Sequence, residues 1–74
     1  LDGFGKLVRD IRITRSLLLY DMAKTLGISP AELSSIETGK VDIPDWFIPA
    51  LKENYNIGDT CAHSLHVLAD QRRK

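Results

Sequence analysis

Three side chains near the C-terminus, Cys61, His63 and His66, are of the types that bind metal ions or build a thiolate nucleophile. Their spacing argues against both. Helical residues turn by about 100° each, so Cys61 and His63 point about 200° apart on one helix and do not converge on an ion. Zinc needs further ligands that the chain lacks, and a Cys–His pair needs hydrogen-bond contact and an oxyanion site. Gly27 and Gly39 sit at the ends of predicted helices and form no glycine-rich phosphate loop. The expectation is no metal, no cofactor and no enzymatic activity. The chain is organised instead around one stretch with a recognisable pattern.

That stretch, Met22 to Lys40, reads as two short helices joined by a tight turn. Met22, Ala23 and Leu26 share one face, Gly27 supplies the left-handed terminator, Ile28 is buried in the turn, and Leu33 with Ile36 resume the helical spacing. Ser29 stands as N-cap before a first-turn Pro30, with Glu32 at the capping-box position.

The pattern resembles the helix-turn-helix DNA-binding domains of the phage repressor and Cro class, the XRE family. The resemblance runs without a gap from about Val8 to Lys40 and, with one extra residue in the next loop, on to Ile57. It implies an all-α, five-helix domain with its helix-turn-helix at about 18–40. The helix starting at Pro30 would then be the recognition helix in the major groove, with the preceding helix across the phosphate backbone. By the same resemblance, Pro30, Ala31, Ser34 and Ser35 match positions that reach base edges. Ser29, Thr38 and Lys40 match phosphate contacts, and Arg12 matches an arginine that pairs with a late recognition-helix glutamate, here Glu37. Serines and an alanine methyl offer no bidentate base pairing, so direct readout should be weak. Glu32 has two open roles, accepting from a cytosine amino group or completing the cap with Ser29.

Two residues depart from the family. Where its members carry a small polar N-cap and a phosphate-clamping glutamine, this chain has Leu18 and Leu19. Leu17 reads as core, but Leu18 and Leu19 cannot both be buried in a helix that turns Met22, Ala23 and Leu26 inward. One is exposed, or a partner or the C-terminal segment covers it.

The remaining elements follow from periodicity. Phe4, Leu7, Val8 and Ile11 predict a first helix over about 4–15 after a frayed Leu1–Gly5 end. Ile43 and Pro44 precede a fourth helix over about 46–55 that packs Phe47, Ile48 and Leu51, with Pro49 harmless in its first turn and Trp46 flanking the core. Asn56, Ile57 and Gly58 read as the exit of that helix, with the isoleucine buried. A fifth helix over about 59–71 is capped by Asp59 or Thr60 and carries Cys61, Ala62, Leu65, Leu68 and Ala69 on one stripe, with Arg72, Arg73 and Lys74 complementing its dipole. That stripe either closes the core over the first helix or serves, with Leu18 and Leu19, as a dimer or partner surface.

Seventy-four residues, 43% hydrophobic and 27% charged, fit one small globular domain over 1–74. A single cysteine forms no internal disulfide, no stretch spans a membrane, and a cytoplasmic address is the default expectation. Ten basic and ten acidic residues cancel. A DNA binder of zero net charge needs a local field, which Lys6, Arg9, Arg12, Arg15, Lys24 and Lys40 could supply against Asp42, Asp45, Glu53 and Asp59 later in the chain. The expected function is a sequence-specific transcriptional regulator binding double-stranded DNA as a homodimer. The rival is an antitoxin or adaptor that uses the same fold to bind a protein partner.

Overall fold

The first residues after the start set the opening helix. In the structure, a computed structural model that describes residues 2–73, the Asp2 carboxylate accepts from the Gly5 N–H at 2.9 Å and caps α1, Gly3–Thr14. The expected frayed end is therefore a capped helix start, with Gly5 buried beside Phe4. Leu1, assigned to the fray, and Lys74, assigned to the last helix's dipole, lie outside the described residues. Phe4, Val8 and Ile11 are buried at i, i+4 and i+7, which is the spacing of one helical face.

Four further helices complete the all-α chain: α2 Leu19–Leu26, α3 Pro30–Thr38, α4 Phe47–Tyr55 and α5 Gly58–Arg73. The described residues contain no strand. Gly27 at φ +76° ends α2 and Gly39 at φ +84° ends α3, so the glycines provide the two left-handed stops that frame α3. Between α2 and α3 lie only Gly27, Ile28 and Ser29, and the Ser29 hydroxyl accepts from the Glu32 N–H at 3.1 Å to start α3. No hydrogen bond returns from the Glu32 side chain, so this is half a capping box.

One core joins all five helices. Phe4 and Phe47 meet at 6.0 Å between ring centroids, tilted by 44°, and Met22, Ala23, Leu33, Ile36, Ile43, Ile48, Leu51, Ala62, Leu65 and Ala69 surround them. α1 packs on α3 and α5, α2 on α3 and α4, and α4 on α5. The Cα radius of gyration, 11.1 Å, equals the size of about 11 Å expected for a single packed unit of this length. Among the described residues, no helix is long and apolar enough to cross a membrane.

Two expectations about leucines are corrected. Leu65 is not a partner surface: it is 0% exposed and packs in the core, burial that contributes about 1.5–3 kcal/mol. Cys61 and Leu68 are half-buried against the same core, so the α5 stripe closes the fold over α1 and α4. Leu17, expected in the core, is half-buried and outside it, because the chain after α1 turns away through Ser16 at φ +55°.

Candidate nucleic-acid interface

α3 is buried on one side only. Leu33, Ile36 and Glu37 face inward, while Pro30, Ala31, Glu32, Ser34, Ser35 and Thr38 stay outside the core. The outward face is small and, apart from Glu32, uncharged. Its N-terminus is open: Pro30 has no N–H, and the Ser29 hydroxyl takes only the N–H of Glu32. With the Leu33 N–H on the Ser29 carbonyl, the Ala31 N–H is the one first-turn donor left without a partner, at the positive end of the helix dipole, a place that suits a single phosphate oxygen.

Glu37 is the anchor. Arg12 Nη1 donates to its Oε2 at 2.7 Å, with the two side chains only 12% and 5% exposed. The family resemblance anticipates this contact, and the geometry explains its force: a carboxylate sunk in the core needs its cation close, and the pair fixes α3 against α1. On the other side of the same residue, the Glu37 carbonyl accepts from Arg72 Nη2 at 2.9 Å, and Arg72 Nη1 donates to the carbonyl of Ile36. Sequence reading assigned Arg72 to the dipole of its own helix. The actual tie spans 35 positions in the chain, and no local signal encodes it.

The residues expected to contact phosphates differ in readiness. Lys40 is exposed, and its backbone N–H donates to the Ser35 carbonyl at 2.9 Å, which holds its base in place while the ammonium stays in solvent. The Thr38 hydroxyl already donates to the Ser34 carbonyl at 2.8 Å, so contact with a phosphate requires its single proton to leave that bond. A shallow groove lined by Arg9, Arg12, Leu19, Ser34, Glu37 and Thr38 puts Arg9 beside α3. Spacing along α1 puts Arg9 on a solvated face, and it is exposed, but its neighbourhood with Ser34 depends on how α1 crosses α3.

The basic run of α1 divides by use. Arg12 is neutralised by Glu37, and Arg15 turns to α4, donating to the Tyr55 carbonyl at 2.9 Å and lying 5.9 Å from the Tyr55 ring. Lys6, Arg9, Lys24 and Lys40 have no carboxylate partner among the described residues. The expected segregation of charge is weaker than the sequence suggested, because Asp10, Asp21 and Glu32 are exposed on the same helices. Near the other end, Lys52 pairs with the fully exposed Asp59 and holds its carboxyl below the usual range by a hydrogen bond first and by charge second.

At the start of α2, Leu18 occupies the N-cap with φ −78° and ψ 158°, and its side chain is 71% exposed. Leucine offers no acceptor, but the Asp21 carboxylate accepts from the Leu18 N–H at 3.0 Å and supplies the reciprocal half of a capping box. Leu19 is half-buried against the core and lines the groove with Ser34, so only Leu18 of the pair stands clear of the protein. Cys61 is half-buried, whereas His63 and His66 are exposed in the groove between α4 and α5. Among the described residues, no group of three or more His, Cys, Asp or Glu side chains is placed to hold a metal ion. Comparison with known proteins gives no match: no protein-family model matches the chain, and neither does any curated protein or any solved structure.

Proposed function

We propose that the chain is a DNA-binding transcriptional regulator of the phage-repressor type, with α2 and α3 as its helix-turn-helix and α3 lying in the major groove. The observation that carries this reading is the one-sided anchoring of α3. Its inner face is held by Leu33, Ile36 and the Arg12–Glu37 pair, leaving a narrow face of Pro30, Ala31, Ser34 and Ser35 outward, with Arg9 and Lys40 beside it. A helix held in this way can enter a groove as a rigid body. Ser34 and Ser35 hydrogen-bond base edges and the Ala31 methyl packs on thymine, while the first turn of α3 at Ser29, together with Lys40, takes phosphates. Each half-site has little affinity, so two protomers act together on a two-fold site, where the second contact becomes intramolecular.

Fluorescence anisotropy on a selected pool of duplexes at two salt concentrations, with sedimentation for the oligomeric state, tests the proposal. Enrichment of a palindromic site bound by a dimer supports it. Lys40→Ala should weaken binding to all sequences and lower the salt slope by about 1 per protomer, whereas Ser34→Ala should blur preference at one base position. No enrichment and a salt-insensitive signal would rule out DNA reading by this chain.

One observation favours a second reading. Leu18 projects 71% exposed where a capping oxygen would serve α2 better, a placement suited to a protein partner's apolar pocket. An antitoxin or adaptor would lose its partner on Leu18→Ser, a change that leaves the face of α3 untouched.

A further inference from the structure

The C-terminal end of α3 is held by a residue from the far end of the chain. The last four carbonyls of a helix lack intrahelical partners, and in α3 these belong to Ser35, Ile36, Glu37 and Thr38. Gly39, Lys40 and Val41 donate their N–H groups to the Ser35 carbonyl, and Arg72 donates to those of Ile36 and Glu37. The guanidinium is itself fixed on its remaining sides. Asp2 accepts from Nε and Nη2 at 2.6 Å each, a two-toothed pair, and the Phe4 ring lies 4.8 Å beneath the charge. The Arg72 side chain is 12% exposed, so this is a seated group and not a surface contact.

Glu37 is thereby gripped twice, through its side chain by Arg12 of α1 and through its backbone by Arg72 of α5. The first grip sets where α3 lies. The second sets how the chain leaves it, because Thr38, left-handed Gly39 and Lys40 follow directly. We propose that Arg72, with Asp2 orienting its fork, is a positioning residue that fixes the exit of α3 and with it the place from which Lys40 reaches a phosphate. The role of that exit rests on the DNA-binding reading above; the fixing of the exit does not. Lysine at this position keeps the charge but offers one point of donation where the fork offers several, and so cannot hold two carbonyls and a carboxylate in one plane.

The test uses Arg72→Lys and Asp2→Asn. Asparagine is as good an N-cap as aspartate, so Asp2→Asn preserves the start of α1 while removing the charge that orients Arg72. Hydrogen exchange of the Lys40 and Val41 amides reads the exit directly, against core amides of α1 and α2 as reference. Both variants are expected to accelerate exchange at Lys40 and Val41 while leaving the reference amides in place. On a selected duplex, Arg72→Lys should weaken binding about tenfold and lower the salt slope by about 1 per protomer. In that background, a further Lys40→Ala change should then cost little, because Lys40 has already lost its place. Unchanged exchange at Lys40 and Val41, or losses from Arg72→Lys and Lys40→Ala that simply add, would overturn the proposal. Should the wild-type chain bind no duplex, the DNA reading fails and the exchange comparison alone decides whether Arg72 fixes the exit. Should Arg72→Lys not fold, the Asp2→Asn comparison carries the same decision.

Discussion

At the scale of single residues, the structure concentrates its risk in Glu37, the one charged side chain buried in the core among the described residues. Glu37→Ala leaves Arg12 charged and unpaired in a site where it is only 12% exposed, and should cost about 3–5 kcal/mol in urea unfolding. Arg12→Met with Glu37→Leu should cost far less, since an apolar pair needs no desolvation. Against a typical domain stability of about 5–15 kcal/mol, the single change removes a large share and the double change does not. Asp2 gives a pH signature. The hydrogen bond from Arg72, helped by the Gly5 N–H and the Arg72 charge and opposed by slight burial, draws its carboxyl from 3.8 down to about 2. A depressed folded value means the stabilisation is complete above pH 3.8 and is lost as the pH falls through about 2. The carboxylate is 42% exposed, so after solvent screening the effect is about 1 kcal/mol, read as the difference between wild type and Asp2→Asn in acid unfolding. Leu18→Ser places a hydroxyl at an N-cap whose backbone is already extended and whose N–H already bonds Asp21. It should raise stability by about 1 kcal/mol. A lower melting temperature would mean that Leu18 is covered by something other than solvent.

At the scale of elements, what the sequence made legible is what local chemistry encodes. The α3 boundaries follow from Ser29, Pro30 and Gly39, and α4 tolerates Pro49 at its third position because the first turn has no intrahelical N–H partners to lose. The misses have a common cause, the closing of helix ends by groups that are not glycine or not nearby. α1 ends at Thr14 with Ser16 left-handed at φ +55°, which no glycine announces, whereas the exit of α4 at left-handed Asn56, φ +49°, is legible in Asn56-Ile57-Gly58. Arg15 caps the last carbonyl of α4, and Arg72 caps α3, across 40 and 35 positions respectively. The same limit applies to the candidate interface. Residues on α3 itself could be named from their spacing and the family resemblance, but Arg9 joins them only because α1 crosses α3, and Leu65 leaves the surface only because α5 packs back on α1 and α4. Strain in the α1 exit is testable. Ser16→Gly removes the cost of a Cβ in the left-handed region and should stabilise the domain by up to about 1 kcal/mol in thermal unfolding, while Gly27→Ala, at φ +76° with open space around it, should cost about as much for the converse reason.

At the scale of the whole molecule, zero net charge makes counterion release the decisive measurement. Binding that neutralises Z phosphates gives a slope of about −0.9Z for log affinity against log salt. Arg12, Arg15, Lys52, Arg72 and Arg73 are occupied by carboxylates or carbonyls within the fold, which leaves Lys6, Arg9, Lys24 and Lys40 as unpartnered cations among the described residues. If Arg9, Lys24 and Lys40 each meet a phosphate, one protomer gives a slope of about −3 and a dimer about −5. The same count assigns the variants. Arg9→Ala and Lys40→Ala should each reduce the slope by about 0.9 per protomer. Lys52→Ala should leave it unchanged, since that ammonium sits with Asp59 in the groove between α4 and α5, away from the residues around α3. Equal responses to Arg9→Ala, Lys40→Ala and Lys52→Ala would mean that the duplex is held by diffuse charge, with α3 not in the groove. A dimer slope confined to Arg9 and Lys40 would instead place the phosphate backbone along the C-terminal half of α3, where the two arginine grips on Glu37 converge.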